Sequence, residues 1–170
     1  MKKYLKDFME NKTCICSVAF RQPYVTHSRN QEGHIRMMEQ MGNRSELLYF
    51  RDELPVKNGI VTEKIVERFQ KSLYGFKPHA IQRAIDKGYK KIIWLDPAVL
   101  PTCPMQVLID SLDIHSVIVR TGDAALSKMC NQKAKNWFNV TDEDIKDEKH
   151  IGGTIYGFNF NDPKAIEVFN

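Results

Sequence analysis

The sequence lacks the long apolar runs of a membrane protein. No stretch of its 170 residues approaches the roughly 20 consecutive apolar residues that a membrane-spanning helix needs. Residues 1–7 are basic, but neither a long apolar run nor a small-residue cleavage site follows them, so they lack the pattern of a signal peptide. We therefore expect no membrane span and a cytoplasmic location.

The sequence also lacks a strong charge of one sign. Lys and Arg total 25 against 21 Asp and Glu, and the basic residues are interleaved with acids rather than gathered in one block. Sequence-independent nucleic-acid binding needs a clustered basic face, so we expect no specific nucleic-acid partner. The net charge of +4 is compatible with a small ligand that carries phosphate.

Cysteine is scarce, and its spacing does not match the common zinc sites. Cys14, Cys16, Cys103 and Cys130 form none of the Cys-x-x-Cys or Cys/His pairs that bind zinc. Cys14 and Cys16 alternate within an apolar run, so on a strand they share one face. We expect reduced and mostly buried thiols.

The composition that is present is that of a globular protein, with 42% hydrophobic and 27% charged residues. A chain of this length can bury a core but is short for two domains. No internal repeat, low-complexity segment or linker interrupts it. We therefore expect residues 1–170 to form a single domain.

Apolar runs and helical periodicities alternate along the chain. The alternation predicts an α/β fold with a mostly parallel sheet and helices on both faces. Residues 140–144 are either a capped helix start or an acidic loop. The predicted strands are 13–20, 47–50, 92–95, 116–119 and 155–160, and the predicted helices are 31–41, 63–72, 78–88, 105–112, 124–138 and 163–170.

Two charged residues stand where ligands of open α/β sheets bind. Asp96 directly follows the apolar run 92–95, and such ligands lie beyond the carboxyl ends of strands. Lys77 lies at the start of the preceding helix, where a cation costs stability unless it faces a negative partner. A carboxylate and a lysine so placed can hold a metal ion and a diphosphate between them. We expect Lys77 and Asp96 to face one shared cleft.

Each of these residues also has a plainer interpretation. An Asp after a strand is more often a turn or cap residue than a ligand, and Lys77 alone is more often a solvated side chain. Phe76 and Trp94 fit the core or a pocket wall. His79 is more often a surface or capping residue than a base.

Three short motifs mark the central segment, which are the turn YGFKP at 74–78, a helix that ends in GY at 88–89, and a strand that ends in WLD at 94–96. Together they resemble a block of the GT-A glycosyltransferases, in a form common in bacteria and phages. Residues 52–55 and 151–160 resemble two further segments less specifically. The resemblance implies a Rossmann-like, GT-A-type three-layer sandwich, with helices on both faces of a mostly parallel central sheet.

The resemblance also implies a ligand set. The donor would be a nucleoside-diphosphate sugar, held with Mn²⁺ or Mg²⁺, and the sugar would pass to an acceptor that the sequence does not identify. Asp96 matches the first acid of an Asp-x-Asp-type motif and so takes metal-binding and catalytic roles. Gly152 and Gly153 would let the backbone approach the ligand. The residues expected around the donor are Tyr74, Phe76, Lys77, His79, Trp94, Asp96, Gly152 and Gly153.

Two departures from the GT-A pattern leave a second function open. Ala98 stands where the motif has its second acid, and the sequence stops inside its last predicted helix, where GT-A enzymes usually continue. Asp123, Asp142 and His150 are candidate general bases by position, and Asp123 is the one assigned a catalytic role. One hypothesis is an active glycosyltransferase. The other is a catalytically degenerate binding or structural protein on the same fold, for example a viral protein.

Overall fold

The fold is described by a computed structural model for residues 13–19, 23–39, 46–51, 61–63 and 76–170. The expectations for Tyr74, for residues 52–55 and for residues 64–72 of a predicted helix lie outside these ranges. Within them, no helix is long and apolar enough to cross a membrane.

One mixed sheet organises the described residues. Its strands are β1 (Thr13–Ala19), β2 (Glu46–Arg51), β3 (Val61–Glu63), β4 (Lys91–Leu95), β5 (Val117–Ala125) and β6 (Lys149–Asn159). They follow the order β3-β2-β1-β4-β6-β5 across the sheet. The pairs β1–β2, β1–β4 and β2–β3 are parallel and β4–β6 is antiparallel, which confirms the expected α/β fold with a mostly parallel sheet.

Helices cover both faces of the sheet, as the predicted three-layer sandwich requires. The helices are α1 (Tyr24–Glu39), α2 (Phe76–Asp86), α3 (Gln106–His115), α4 (Leu126–Met129), α5 (Gln132–Phe138) and α6 (Pro163–Phe169). On one face of the sheet, α2 and α6 pack over Cys14, Cys16 and Trp94. On the other face, α1 and α3 pack over Ile15 and Ile93.

β4 is an interior strand that is buried on both faces, as predicted. It pairs with β1 on one side and β6 on the other. Ile92 and Trp94 point into one core cluster, and Ile93 and Leu95 into the other. Because side chains alternate between the two faces of a strand, a strand covered on both faces needs an unbroken apolar run.

A glycine ends α2 and leads the chain into β4. Gly88 has φ of +95°, which is the left-handed region that favours glycine. Its N–H donates to the carbonyl of Ile85, and the N–H of Tyr89 donates to the carbonyl of Ala84. This pattern is a Schellman motif, so the predicted helix stop at Gly88 is confirmed.

Three helix starts differ from their predicted positions. α1 begins at Tyr24 rather than at 31, and the N–H of His27 donates to the carbonyl of Pro23, which precedes the helix. α2 begins at Phe76, so Pro78 is its third residue. The first N–H groups of a helix have no partner within it, so proline is tolerated there. Glu63, expected to start a helix, ends strand β3.

The single helix expected at 124–138 is wrong. Ala125 ends β5, and α4 and α5 are separated by Cys130 and Asn131, which have extended backbone angles. The Asn131 side chain accepts a hydrogen bond from the N–H of Ala134, so it caps a new helix. Residues 142–145 form a turn and 146–147 a bend, which agrees with the acidic-loop alternative.

Contacts divide the chain into two compact units. The larger unit takes in the described residues up to Ile118 together with Thr154–Asn170, and the smaller unit is Val119–Gly153. The expectation that residues 1–170 form a single domain stays a prediction. The core clusters described above belong to the larger unit.

Candidate functional site

Lys77 and Asp96 form an ion pair in the larger unit. Lys77 is the second residue of α2, and Asp96 directly follows β4. The Nζ atom of Lys77 lies 3.5 Å from Oδ2 of Asp96. The structure therefore brings together the two charged residues that the sequence singled out.

Lys77 is a cation held largely out of water. Its side chain is 9% exposed, and its ammonium lies 5.3 Å from the centre of the Trp94 ring. Burial lowers the pKa of Lys77 below its ordinary value of 10.5, while the charge and hydrogen bond of Asp96 act in the opposite direction. The helix dipole also disfavours a cation here, so Lys77 depends on a negative partner.

An aromatic layer supports the ion pair. Trp94 is fully buried, so it belongs to the core, as its plainer interpretation has it. Its ring stacks on Tyr156 with centroids 6.0 Å apart and lies 6.2 Å from the ring of Phe76. Burial raises the pKa of Tyr156, and the negative charge of Asp96 adds to that effect. The layer therefore holds the lysine from one side with apolar rings that do not titrate near neutral pH.

Asp96 is also a turn residue. Its Oδ1 accepts from the N–H of Ala98 at 3.2 Å, and its backbone carbonyl accepts from the N–H of Val99 at 2.9 Å. Asp and Pro97 occupy the first two positions of this turn, where both residue types are favoured. Its own N–H donates to the carbonyl of Thr154 at 2.8 Å. The turn thus fixes the carboxylate so that Oδ2 faces Lys77.

A buried glutamine that the sequence analysis missed holds this turn. Gln31 of α1 is fully buried, and its Nε2 donates to the carbonyls of Asp96 and Val99, both at 2.7 Å. Its Oε1 accepts from the hydroxyl of Tyr49 at 2.8 Å. Gln31 lies one helical turn before the buried Ile35, and this spacing is the one signal that placed it inward.

An apolar cavity of about 210 Å³ lies beside the turn in the larger unit. A cavity of roughly this size accepts one small apolar ring. Leu95 and Val99 form one part of its wall and Ile155 another, and the rest comes from residues 100–105 and from the first residues of α3. Cys103, which also lines it, is exposed.

The other predicted site residues fall into two groups. His79 is half-buried in α2, two residues after Lys77, and belongs to the larger unit. Asp123, Gly152 and Gly153 belong to the smaller unit, where Asp123 is exposed in β5 and both glycines lie inside β6. The expected strand start at 155 is therefore wrong by six residues.

The remaining base candidates of the smaller unit have structural partners. Asp142 pairs with Lys135. His150 bonds through Nδ1 to the carbonyl of Ala124 at 3.1 Å, and its ring occupies the space that a Cβ on Gly122 would need. That hydrogen bond fixes the orientation of the imidazole and leaves Nε2 as its second polar atom.

The donor atoms near Asp96 do not make a metal site by themselves. Among the described residues, no three His, Cys, Asp or Glu side chains are grouped so that they could hold a metal ion. The side chain of Ala98 has no ligand atom, so this turn offers one carboxylate. Mg²⁺ and Mn²⁺ at such a place would need most of their ligands from phosphate oxygens and water.

No protein-family model matches the sequence, and no curated protein matches it. Solved structures match its fold. Apo mouse xyloside xylosyltransferase 1 has a TM-score of 0.60 and 11% identity over 94% of this chain and 72% of its own. The galactosyltransferase LgtC with donor and acceptor sugar analogues has a TM-score of 0.55 and 12% identity over 92% of this chain and 64% of its own.

An active-site mutant of LgtC matches with a TM-score of 0.55 and 12% identity over 87% of this chain and 57% of its own. The chain thus spans less than two thirds of the length of either LgtC structure. Identities this low show a shared fold rather than a shared activity. The chain has the α/β fold of the GT-A nucleotide-diphospho-sugar transferases.

Proposed function

We propose that this chain binds a nucleoside-diphosphate sugar and transfers the sugar to an acceptor. The ion pair of Lys77 and Asp96 is the observation that carries the proposal. It places a cation at the start of a helix and a carboxylate at the end of an interior strand, which is where ligands of α/β sheets bind. The fold shared with sugar transferases supports the same conclusion.

Lys77 would bind the diphosphate. Its ammonium is already desolvated and is held against Trp94, so little side-chain freedom is lost when an anion binds. The positive end of the α2 dipole adds to the attraction for phosphate oxygens. When a phosphate binds the ammonium of Lys77, it replaces the Asp96 carboxylate as the negative partner of that lysine.

Asp96 would then bind another part of the donor. Its Oδ1 is held by the N–H of Ala98, so the carboxylate keeps its position when Oδ2 leaves Lys77. The released oxygen can accept a hydrogen bond from a ribose hydroxyl. A divalent cation carried by the phosphates would find one protein carboxylate here, which is the proposed metal role of Asp96.

The remaining roles rest on the sequence resemblance. Phe76, His79 and Tyr74 would bind the donor, Trp94 would support Lys77, and Gly152 and Gly153 would allow close approach of the backbone. Asp123 would accept the proton of the acceptor hydroxyl while the hydroxyl oxygen attacks the anomeric carbon and the nucleoside diphosphate leaves. A GT-A type found in bacteria or phages and a cytoplasmic location belong to the same proposal.

One observation favours a second candidate, a catalytically degenerate binding or structural protein that has the same fold but has lost the donor site. Ala98 removes the second acid of the motif, and both oxygens of Asp96 already have protein partners in Ala98 and Lys77. A carboxylate whose partners are all internal is also what a purely structural turn requires. This candidate predicts no response to nucleotides.

A thermal-shift panel of UDP, GDP, CDP, ADP and dTDP, with and without Mn²⁺, distinguishes the two candidates. A nucleotide at 100 times its Kd stabilises the fold by about 2.7 kcal/mol. The transferase proposal expects at least one nucleotide to raise the Tm of the unmodified protein and to lose this effect in Lys77→Ala. Lys87→Ala, which removes an exposed lysine just after the far end of α2, is the matched control and should keep the response.

A further inference from the structure

We propose that Gln31 is a positioning residue for the donor site, because it holds the 96–99 turn in the shape that aims Asp96 at Lys77. The inference rests on the proposed function, since the aimed carboxylate matters only if a donor binds there. The hydrogen bonds of Gln31 join it to Asp96, Val99 and Tyr49 rather than to Lys77. It acts on the site through the backbone of the turn.

The geometry of the amide matches this role. A primary amide nitrogen has two hydrogens, and those of Gln31 are both used on carbonyls of one turn, those of Asp96 and Val99. The two bonds fix the separation of these carbonyls. The amide oxygen is fixed in turn by the hydroxyl of Tyr49, which is also fully buried.

Burial makes these bonds strong determinants of local shape. Inside a protein a hydrogen bond is stronger than in water, and leaving a buried polar group unpaired is unfavourable. The network therefore has one well-satisfied arrangement. Oδ1 of Asp96 accepts a hydrogen bond from the N–H of Ala98, which lies inside the 96–99 turn. The direction of the carboxylate therefore follows the shape of that turn.

The network also joins separate layers of the fold. Gln31 comes from α1, Tyr49 from β2, and the turn from the end of β4. A loop that relied on its own hydrogen bonds alone would be free to shift away from Lys77. The hydrogen bonds of Gln31 and Tyr49 instead attach the turn to α1 and β2, which both contribute residues to the buried core.

Amide hydrogen exchange and nucleotide calorimetry on Gln31→Met test the inference. Methionine keeps the length of the side chain and removes all three hydrogen bonds. We expect the exchange rate of the Val99 amide to rise about tenfold relative to that of Ile93 in β4, because the turn opens locally. We expect the affinity for the nucleoside diphosphate with the largest thermal shift to fall about tenfold.

Two further variants separate positioning from general destabilisation. Ile35→Ala removes a fully buried neighbour on α1, so it should lower stability while Val99 and Ile93 keep their ratio of exchange rates. Its nucleotide affinity should stay unchanged where the protein is folded. Tyr49→Phe removes one bond of the network and should give a smaller effect of the same kind as Gln31→Met, which covers the case that Gln31→Met does not fold.

The outcomes are distinguishable from those of the proposed function. If the unmodified protein binds no nucleotide, the proposed function fails, and the inference that Gln31 serves a donor site fails with it. If nucleotides bind but Gln31→Met changes the exchange of Val99 and Ile93 equally, or keeps full affinity, then Gln31 is a core residue only. Local opening of the turn with loss of affinity supports the inference.

Discussion

The ammonium of Lys77 lies 3.5 Å from the Asp96 carboxylate, and the pair joins the start of α2 to the end of β4. The position of Lys77 in α2 does not stabilise it, whereas Asp96 also caps its own turn. The lysine opposes the helix dipole and is largely buried, and the carboxylate is already a turn cap. The attraction between the two charges stabilises the pair. An anion that binds the lysine can therefore displace the carboxylate.

The pKa of Lys77 should be below 10.5 in the folded protein and lower still in Asp96→Asn. Burial lowers this pKa and Asp96 opposes the change, so removing the carboxylate charge leaves burial unopposed. Titration of the lysine side-chain NMR signals measures both values. Lysines on the surface serve as internal controls, and a Lys77 that titrates with them in both proteins would contradict the account.

The same shift predicts how stability depends on pH. Between the folded pKa of Lys77 and 10.5, the unfolded chain binds the proton more strongly, so Lys77 contributes a rise in the free energy of unfolding with pH. The raised pKa values of Cys14, Cys16 and Tyr156 act in the opposite direction at alkaline pH. Replacing Lys77 by Met should therefore make the slope of the free energy of unfolding against pH more negative. Chemical denaturation at a series of alkaline pH values measures it, and an unchanged slope in the variant would contradict the assignment to Lys77.

Two glycines with open surroundings should respond in opposite directions to alanine. A Cβ on Gly33 or on Gly88 would meet no atom within 4 Å, but Gly88 alone has a left-handed backbone. Gly33→Ala should stabilise the protein by about 0.5–1 kcal/mol through helix propensity. Gly88→Ala should destabilise it by about 1–2 kcal/mol. Urea unfolding of the two variants compares them, and a destabilising Gly33→Ala would contradict the assigned helix.

The end of α2 at Gly88 and the burial of β4 show what a sequence can predict. The helix end follows from local backbone chemistry and the burial of β4 from its unbroken apolar run, so both can be predicted from the sequence. The proximity of Lys77 and Asp96 could also be predicted, because each stands at the end of its element where ligands of open α/β sheets bind, whereas the shared cleft stays a prediction. Local signals and general rules of α/β topology were sufficient for these features.

The features that the sequence did not show depend on distant contacts or on weak periodicity. Gln31 looks like any polar helix residue, and its importance comes from carbonyls that approach it only in the folded chain. The early start of α1 is hidden because residues 24–30 are largely polar. The break before α5 has a local signal, the cap at Asn131, which the apolar pattern of 124–138 obscured.

The cysteines should differ sharply in reactivity. Burial raises the pKa of Cys14 and of Cys16, and both are fully buried, whereas Cys103 is exposed. A thiol reagent should label Cys103 in the folded protein and reach Cys14 and Cys16 only on unfolding. Mass spectrometry after brief labelling identifies the sites. Rapid labelling of Cys14 under native conditions would mean that β1 is accessible.

The two tryptophans should make very different contributions to stability. Trp94 is fully buried between Lys77 and the core, so Trp94→Ala should destabilise the protein by about 3–5 kcal/mol. Trp137 is 82% exposed, and Trp137→Ala should change stability by no more than about 0.5 kcal/mol. Denaturation followed by circular dichroism compares the pair. A small effect at Trp94 would mean that the aromatic layer does not support the ion pair.

Metal binding should require the nucleotide. One carboxylate at the 96–98 turn gives too few protein ligands, so the free protein should bind little or no Mn²⁺. In the presence of a nucleoside diphosphate the phosphates supply the missing oxygens. Manganese titration followed by electron paramagnetic resonance, with and without nucleotide, measures this. Tight binding to the free protein would show that further ligands exist.

The central claim is that Lys77 and Asp96 form a donor site, and isothermal calorimetry with a nucleoside diphosphate tests it most directly. Lys77→Ala should weaken binding about tenfold or more with or without Mn²⁺, because the charge that faces the phosphates is gone. Asp96→Ala should abolish the part of binding that depends on Mn²⁺ and leave the remainder, or strengthen it, because the carboxylate no longer competes for Lys77. If the unmodified protein binds no nucleotide with Mn²⁺ present, or if both variants bind as it does, the ion pair is structural and the chain is a degenerate scaffold.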